Sequence, residues 1–512
     1  MAKEKNKWQF GDFQTPQELS NLVVNTLKIK HNIHPASIIE PTCGRGAFVW
    51  AAAEGFPNSS VYGFDVNPAY VEDACKIARE KSLEDRVTIR QADFFLEPWE
   101  SLLKRCIEPI LIIGNPPWVT SSELGILNSQ NLPEKTNFQG RRGIEAITGS
   151  GNFDISEWMI LEHAKWLKGR KGAIAFLCKY SVARKVMRQL RNNSDFHFTG
   201  HIYKIDAKKH FSAAVDACLF VLTQSDKASD CEVFSELTSD KPDYIIGARD
   251  GYVLKNVEAY ENNRHLRGQD LAYIWRSGLK HDCSKVMELT KIEGGLQNGL
   301  GETVEIEESL LFPLLKSSDI GNGRLTPRKY VIVPQQRPGQ ETDHIKNEFP
   351  ETWGYLNAHR DRLEARRSSI YKNKPDFSIF GVGPYTFLPW KIAISGLYKK
   401  LKFSLVGPVG EKPMIFDDTI NFLSFKTFGE ADYVLSLLNS KPAIDFLTAC
   451  IFWDEKRPIT TEILRRLSIK ELAKENASET AYLAFIADSA KAIEGQMELG
   501  IAEKKAKYNT QK

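Results

Sequence analysis

Leu111-Ile112-Ile113-Gly114-Asn115-Pro116-Pro117-Trp118 is the stretch on which the reading of this chain turns. An apolar run stops on Gly-Asn-Pro-Pro, which predicts a buried strand over 110–113 that ends in a rigid loop at its carboxyl end. Open α/β sheets bind ligands at that edge. Pro116 and Pro117 lack N–H groups and have a locked φ, so the neighbouring carbonyls are acceptors held at a fixed angle. With the Asn115 side-chain oxygen, two acceptors can converge on one exocyclic amino group and polarise its nitrogen for attack on an electrophilic carbon. Trp118 offers a flat apolar face to a planar ring, a contact worth roughly 1–3 kcal/mol. The stretch reads as a clamp for an aromatic amine. Its plain alternative is a strand ending in a proline turn over a core tryptophan, and the surrounding chain has to choose between them.

Three more strand ends precede it. Ser37-Ile38-Ile39-Glu40-Pro41-Thr42-Cys43-Gly44-Arg45-Gly46 predicts a short strand, a Gly-x-Gly turn and a helix over 47–54. Gly44 and Gly46 permit positive φ and close backbone approach to a ligand, and Glu40 can engage a cationic or hydroxyl-bearing group. Position 49 is Val, so the third glycine of a dinucleotide fingerprint is missing. A second strand ends at Asp65, 25 residues after Glu40, the spacing at which a carboxylate takes ribose hydroxyls. A helix over 69–81 leads to a third strand, 87–95, that ends in Asp93; its carboxylate could accept from an adenine amino group while Phe94 packs on the ring. Each acid alone is an ordinary loop residue. Three at successive strand ends describe a nucleoside-binding edge.

Upstream, Thr15, Pro16 and Glu18 form a capping box for a helix reaching about residue 30. Downstream, 121–150 is polar and glycine-rich, with Arg141 and Arg142, and is expected to be a flap over the site. Helix 154–168, strand 173–178, helix 180–191 and strands 197–203 and 216–223 complete an alternating β/α pattern. The last two, without a helix between them, suggest an antiparallel hairpin on a mostly parallel sheet. Phe211 lies between them, where a loop could face the Asn115 pocket; it could equally be core of the hairpin.

The chain's 512 residues suffice for two or three domains, and a net charge of +3 is too mild to identify a partner. Eight cysteines are scattered singly with no C-x-x-C pair, so neither a zinc ribbon nor a disulfide framework is indicated. No run approaches 18 apolar residues and the amino terminus has no apolar signal-like stretch, so a cytoplasmic protein is expected.

These pieces, in this order, resemble the γ-class N6-adenine DNA methyltransferases of bacterial restriction–modification systems: Gln14-Thr15-Pro16, Glu40 to Gly46, Asp65, Asp93-Phe94 and Asn115-Pro116-Pro117-Trp118. The resemblance spans about residues 10–225. It implies a Rossmann-like class I sheet, mostly parallel with an antiparallel edge hairpin, and S-adenosylmethionine as cofactor. It puts Thr15, Glu40, Cys43, Asp65, Asp93 and Phe94 against that cofactor, and Asn115, Pro116 and Trp118 on the target adenine, with Phe211 on the opposite face of the flipped base. Trp118 departs from the family's usual Tyr or Phe, so any contact through a tyrosine hydroxyl is lost. Duplex DNA is the implied substrate and a cognate restriction endonuclease the implied companion; base flipping and direct transfer need no metal and no covalent nucleophile. The clamp also suits RNA adenine or protein glutamine, and a bifunctional restriction–modification subunit is a further alternative. The motifs begin near residue 10, which argues against a preceding nuclease.

The expected domains are 1–225, a linker over 226–262, and 263–512. In the second half, 360–402 holds ten Lys/Arg against three acids. Arg366, Arg367, Lys372 and Lys391 interleave there with Tyr371, Phe377, Phe380, Tyr385, Phe387 and Trp390. Basic residues among aromatics suit phosphate tracking, and a solvated helix followed by an aromatic β core is the alternative. This half resembles, more loosely, the α+β target-recognition regions of Eco57I-like methyltransferases.

Overall fold

Strands buried along their whole length must be covered on both faces, and two such strands lie side by side inside the sheet of the amino-terminal unit. The structure, a computed structural model, describes residues 14–119, 154–191, 197–213, 215–225 and 230–487, and the chain divides into two compact units, Met1–Glu258 and Ala259–Lys512. In the first, β1 (Ser37–Glu40) and β4 (Ile110–Gly114) are buried along their whole length. They are paired in parallel, Ile39 opposite Ile112. On the other flank of β1 lie β2 (Ser60–Asp65) and then β3 (Val87–Gln91), both parallel. β3 buries only Val87, as suits an edge strand.

Beyond β4 come β5 (Gly172–Lys179), parallel, and β7 (Ala217–Gln224), antiparallel, with β6 (Phe198–Ile205) outside it. The order β6-β7-β5-β4-β1-β2-β3 reverses direction between β1 and β4, the crevice where ligands bind in open α/β sheets. The β6–β7 connection is not a bare hairpin. It contains the short helix α7, introduced below, and returns β7 into the sheet beside β5.

The helices cover both faces. α1 (Gln17–Lys30) buries Leu19, Val23, Val24 and Leu27. Its partner α2 (Ala47–Gly55) is buried from Phe48 to Ala53 because it lies between α1 and the sheet. A Cβ on Gly55 would stand 2.3 Å from Val24 Cγ1, so glycine there lets the two helices touch. α3 (Pro68–Glu80), α4 (Trp99–Leu103), α5 (Ile155–Trp166), α6 (Tyr180–Arg191) and α7 (Ala207–Phe211) follow in order.

Two expectations are corrected here. α1 starts at Gln17 with Pro16 at its cap and no side-chain cap, so Thr15 does not cap it; its hydroxyl is used elsewhere. The segment read as a linker over 226–262 contains β8 (Cys231–Phe234), β9 (Tyr244–Arg249) and β10 (Tyr252–Leu254), which continue the sheet past β6 to ten strands. Its polar residues hid alternation: Cys231, Val233 and Phe234 are buried, and Asp230, which looks like a loop residue, binds Arg191 and Arg249 at 2.7 and 2.6 Å.

The second unit is α+β. A four-stranded antiparallel sheet takes β11 (Arg276–Ser277), β20 (Ile420–Phe425), β17 (Trp390–Ser395) and β18 (Ser404–Val406), in that order. A six-stranded sheet runs β14 (Thr303–Val304), β13 (Gly295–Gln297), β12 (Glu288–Ile292), β16 (Lys329–Ile332), β15 (Leu311–Leu315) and β19 (Ile415–Phe416). No helix among the described residues is long and apolar enough to cross a membrane.

Candidate active site

The turn after β1 is tied to the end of β2 by backbone. Cys43 N–H donates to the Phe64 carbonyl at 2.6 Å, and Gly44 N–H to Asp65 Oδ2 at 2.7 Å. Asp65 Oδ1 accepts from Asn67 N–H at 2.8 Å. Gly44 and Gly46 both have positive φ, +52° and +85°, which a side chain would resist. A Cβ on Gly46 would also lie 2.8 Å from the Trp50 indole nitrogen. Gln14 lies over this turn: its Oε1 accepts from Arg45 N–H at 3.4 Å, and a Cβ on Gly44 would meet it at 3.0 Å.

Glu40 is 2 % exposed, and its Oε2 has no hydrogen-bond partner. Burial, with the Asp65 charge nearby, pushes its carboxyl well above the usual range, opposed by a hydrogen bond from the Val49 backbone. A buried carboxyl oxygen without a partner costs free energy unless something else completes it. Burial beside Glu40 and Asp65 also holds the Cys43 thiol protonated, its pKa raised well above normal, so Cys43 is no thiolate nucleophile.

At the end of β4 the backbone turns through Gly114, where a Cβ would come within 3.3 Å of the Phe176 ring and 3.4 Å of Glu40 Cγ. That close passage sets Asn115 beside the β1 end. Asn115 Nδ2 donates to Thr15 Oγ1 at 3.2 Å, so the hydroxyl that does not cap α1 instead orients the Asn115 amide. Trp118 is 5 % exposed and its indole N–H donates to the Leu177 carbonyl at 3.2 Å. Phe211, the last residue of α7, meets Trp118 edge to face with ring centroids 5.1 Å apart. The two aromatics are therefore brought together as the sequence suggested, but no slot opens between them: a base sandwiched there would need rings roughly 7 Å apart, so one of them must swing.

Asp93 lies just past β3, its Oδ1 accepting from Phe95 N–H at 2.9 Å. Phe94 is 8 % exposed and sits in an aromatic cluster with Trp99, Trp158, His163 and Trp166. The ring is thus almost enclosed by its aromatic neighbours. His163 inside this cluster is fully buried, which lowers its pKa to about 3; it is a neutral core ring.

The sequence reading did not give Thr15 its partner Asn115, nor find Gln14 over the glycine turn or the Leu177 carbonyl on Trp118. The Gln-Thr-Pro motif was the available signal, and its contacts cross 100 residues of sequence.

The cations assigned to nucleic acid separate. Lys391 is a correction: it is 1 % exposed on the central strand β17, with Nζ donating to the Leu388 and Met414 carbonyls at 2.9 and 2.7 Å. Burial lowers its pKa to about 7, and it cannot reach a phosphate. Arg366 is also spent internally, donating to the Leu363, Ser378 and His281 carbonyls and lying 3.7 Å over the Tyr371 ring. Arg367 and Lys372 are exposed. Arg141 and Arg142 lie outside the described residues.

A model of the methyltransferase domain matches residues 35–112, the segment from β1 to β4. The type II methyltransferase M.NspV of Nostoc sp. is 44 % identical over 479 residues, covering 92 % of this chain and 98 % of its own. The chain belongs to the type II methyltransferases. The similarity runs through both units. A release factor glutamine methyltransferase of Fusobacterium nucleatum is 27 % identical over 173 residues, 34 % of this chain and 45 % of its own. Among solved structures, the type IIL restriction-modification enzyme MmeI in complex with DNA shares the fold at a TM-score of 0.50 and 12 % identity, over 88 % of this chain and 64 % of the other. As a type II methyltransferase, the chain is a transferase of a restriction–modification system with an α/β catalytic unit.

Proposed function

We propose that this methyltransferase moves a methyl group from S-adenosylmethionine to the N6 amino group of an adenine in duplex DNA, after the base has been flipped from the stack. The observation that carries the reading is the meeting of Glu40, Asp65 and the Asn115 loop at the reversal point between β1 and β4, with Thr15 holding the Asn115 amide at 3.2 Å.

The residues fit the cofactor. The partnerless oxygen of Glu40, the Gly44 and Gly46 turn that leaves no room for side chains, and the Asp65 and Asp93 carboxylates form a cradle with donors and acceptors for a nucleoside. Glu40, Cys43, Gly44, Gly46 and Asp65 would hold it at the β1–β2 ends, with Asp93 and the Phe94 edge at the third strand. When bound, S-adenosylmethionine supplies an electrophilic methyl on a sulfonium centre. The protein's own part is positioning. Thr15 accepts the Asn115 Nδ2 hydrogen, which turns Asn115 Oδ1 away to act as an acceptor, and the carbonyls beside Pro116 and Pro117 supply a second acceptor of fixed direction. Two acceptors on the two amino hydrogens leave the nitrogen lone pair aimed outward, and geometry of that kind replaces much of the entropic barrier. Trp118 and Phe211 separate to admit the base, which costs their edge-to-face contact and returns stacking.

DNA is favoured over protein glutamine because the 44 % relative extends across the second unit, while the glutamine methyltransferase aligns with about a third of the chain. The test is modification-sensitive sequencing of genomic DNA from a methylation-free host expressing the protein, with Asn115→Ala as control. N6-methyladenine at one short motif, absent in the control, is the expected result; an unmodified genome from folded, cofactor-binding protein refutes it.

A further inference from the structure

The second unit holds a cationic surface that is centred on residues 316–329 and takes in only the last lysines of the 360–402 run. Two buried acids organise it. Asp319, 5 % exposed, accepts on Oδ1 from Arg324 Nη1 at 3.0 Å and Arg328 Nη2 at 2.8 Å. Its Oδ2 takes the Lys316 N–H at 3.0 Å. Glu288, 3 % exposed, binds the ammonium groups of Lys316 and Lys329 at 2.7 and 2.8 Å, and His281 faces it at 3.5 Å. The four cations all belong to the connection between β15 and β16 or its ends, and their side chains stay 34–63 % exposed.

The turn between β17 and β18 adjoins that connection. A Cβ on Gly321 would fall 2.4 Å from the Tyr398 ring, and one on Gly323 would stand 3.5 Å from Lys402 Nζ; Asn322 Nδ2 donates to Tyr398 at 3.3 Å. Lys399, Lys400 and Lys402, all exposed, therefore join the other four. Against seven cations stand the buried Glu288 and Asp319 and the half-buried Asp417, which lies near Lys316. Residues 320–340 and 377–410 contain no Asp or Glu, in a chain that carries 65 acids. Ser318, Asn322 and Thr326 add exposed hydrogen-bonding groups.

Ion pairing alone does not account for this arrangement, because each buried acid draws more positive charge than it neutralises. The buried carboxylates pin the arginine and lysine heads at the surface, so their side-chain freedom is already lost on folding and is not lost again on binding. Arginine presents five donors, and Arg324 and Arg328 each commit only part of theirs to Asp319.

We propose that the β15–β16 connection and the β17–β18 turn form a phosphate-contact surface for duplex DNA, with Arg324, Arg328, Lys399 and Lys402 meeting the backbone. The proposal rests on the DNA reading above and names the face of the second unit that serves it.

Phosphate contacts are sequence-independent, so the test needs no knowledge of the target: affinity of the full-length protein for a 30-base-pair duplex of arbitrary sequence, across a salt series. Each phosphate contact contributes about 0.9 to the log–log slope. Arg324→Ala/Arg328→Ala should flatten the slope by about 2. Because that variant strands Asp319, Lys399→Ala/Lys402→Ala is made as well, at positions that pair with no acid among the described residues, and should flatten it by a similar amount. Unchanged slopes in folded variants of a wild type that binds duplex overturn this surface. A wild type with no salt-dependent duplex binding overturns the DNA reading itself, and with it the proposal.

Discussion

In the first unit Glu40 and Asn115 stand at the ends of strands buried along their whole length, whereas in the second unit cations close together in sequence meet different fates. Lys391 is in the core, Arg366 is bound to carbonyls, Arg360 is held by Asp376 at 2.6 Å, and Arg367 and Lys372 face solvent. A residue at a strand end is located by the backbone, which apolar runs and prolines reveal. A cation in a charge-rich run is located by side-chain packing, which composition does not reveal.

The largest break in this comparison would come at Asn115. Asn115→Ala should lower kcat by at least about 10²-fold while isothermal titration with S-adenosylmethionine shows cofactor affinity retained; preserved transfer would remove the clamp. The next contrast is between two neighbours. Arg366→Ala should destabilise the protein by about 1–3 kcal/mol through its stranded carbonyl partners in denaturant unfolding, with the salt dependence of DNA binding unchanged. Arg367→Ala, at an exposed position, should leave stability within error and flatten the salt slope by about 0.9. Equal behaviour of the two would erase the distinction drawn from burial.

Glu40 supplies a pH test. Its folded-state pKa is raised, so the folded protein binds this proton more tightly than the unfolded chain does. The associated stability is present below the ordinary carboxyl range and is lost as pH rises above it. Glu40→Gln should therefore stabilise the cofactor-free protein at pH 8, with little gain at pH 4, while weakening cofactor binding. A variant no more stable at pH 8 than wild type would mean that the carboxylate is satisfied in the free protein. The smallest effect belongs to Thr15. Losing one hydrogen bond of about 1 kcal/mol, Thr15→Val should lower kcat roughly 5-fold with stability little changed, and Thr15→Ser should restore it; a pure folding defect would shift the unfolding midpoint instead.

The alternation of apolar runs with helical patterns made the catalytic sheet legible through β5, because its inner parallel strands β1, β4 and β5 are buried almost end to end. The three acids and the proline loop were legible for the same reason, being the residues at which those runs stop. What escaped were contacts made across the fold. Thr15 satisfies every local rule for a cap, yet its hydroxyl serves Asn115, since Pro16 takes the cap position. Trp118 and Phe211 were found as a pair, but their direct edge contact depends on how α7 returns to the sheet. Strands β8 to β10 were missed because short, polar-flanked segments become strands only when a neighbour such as β6 offers an edge.

That edge has a practical consequence for anyone exchanging specificity between enzymes of this family. β6 pairs in parallel with β8 over Gly200 to Tyr203, and β9 and β10 close the ladder behind it. A graft joined near residue 225 would cut between partners and bare a row of main-chain donors and acceptors, an invitation to self-association. A junction after Leu254 keeps the ladder whole, and makes the catalytic half a cassette that can be moved without its seam.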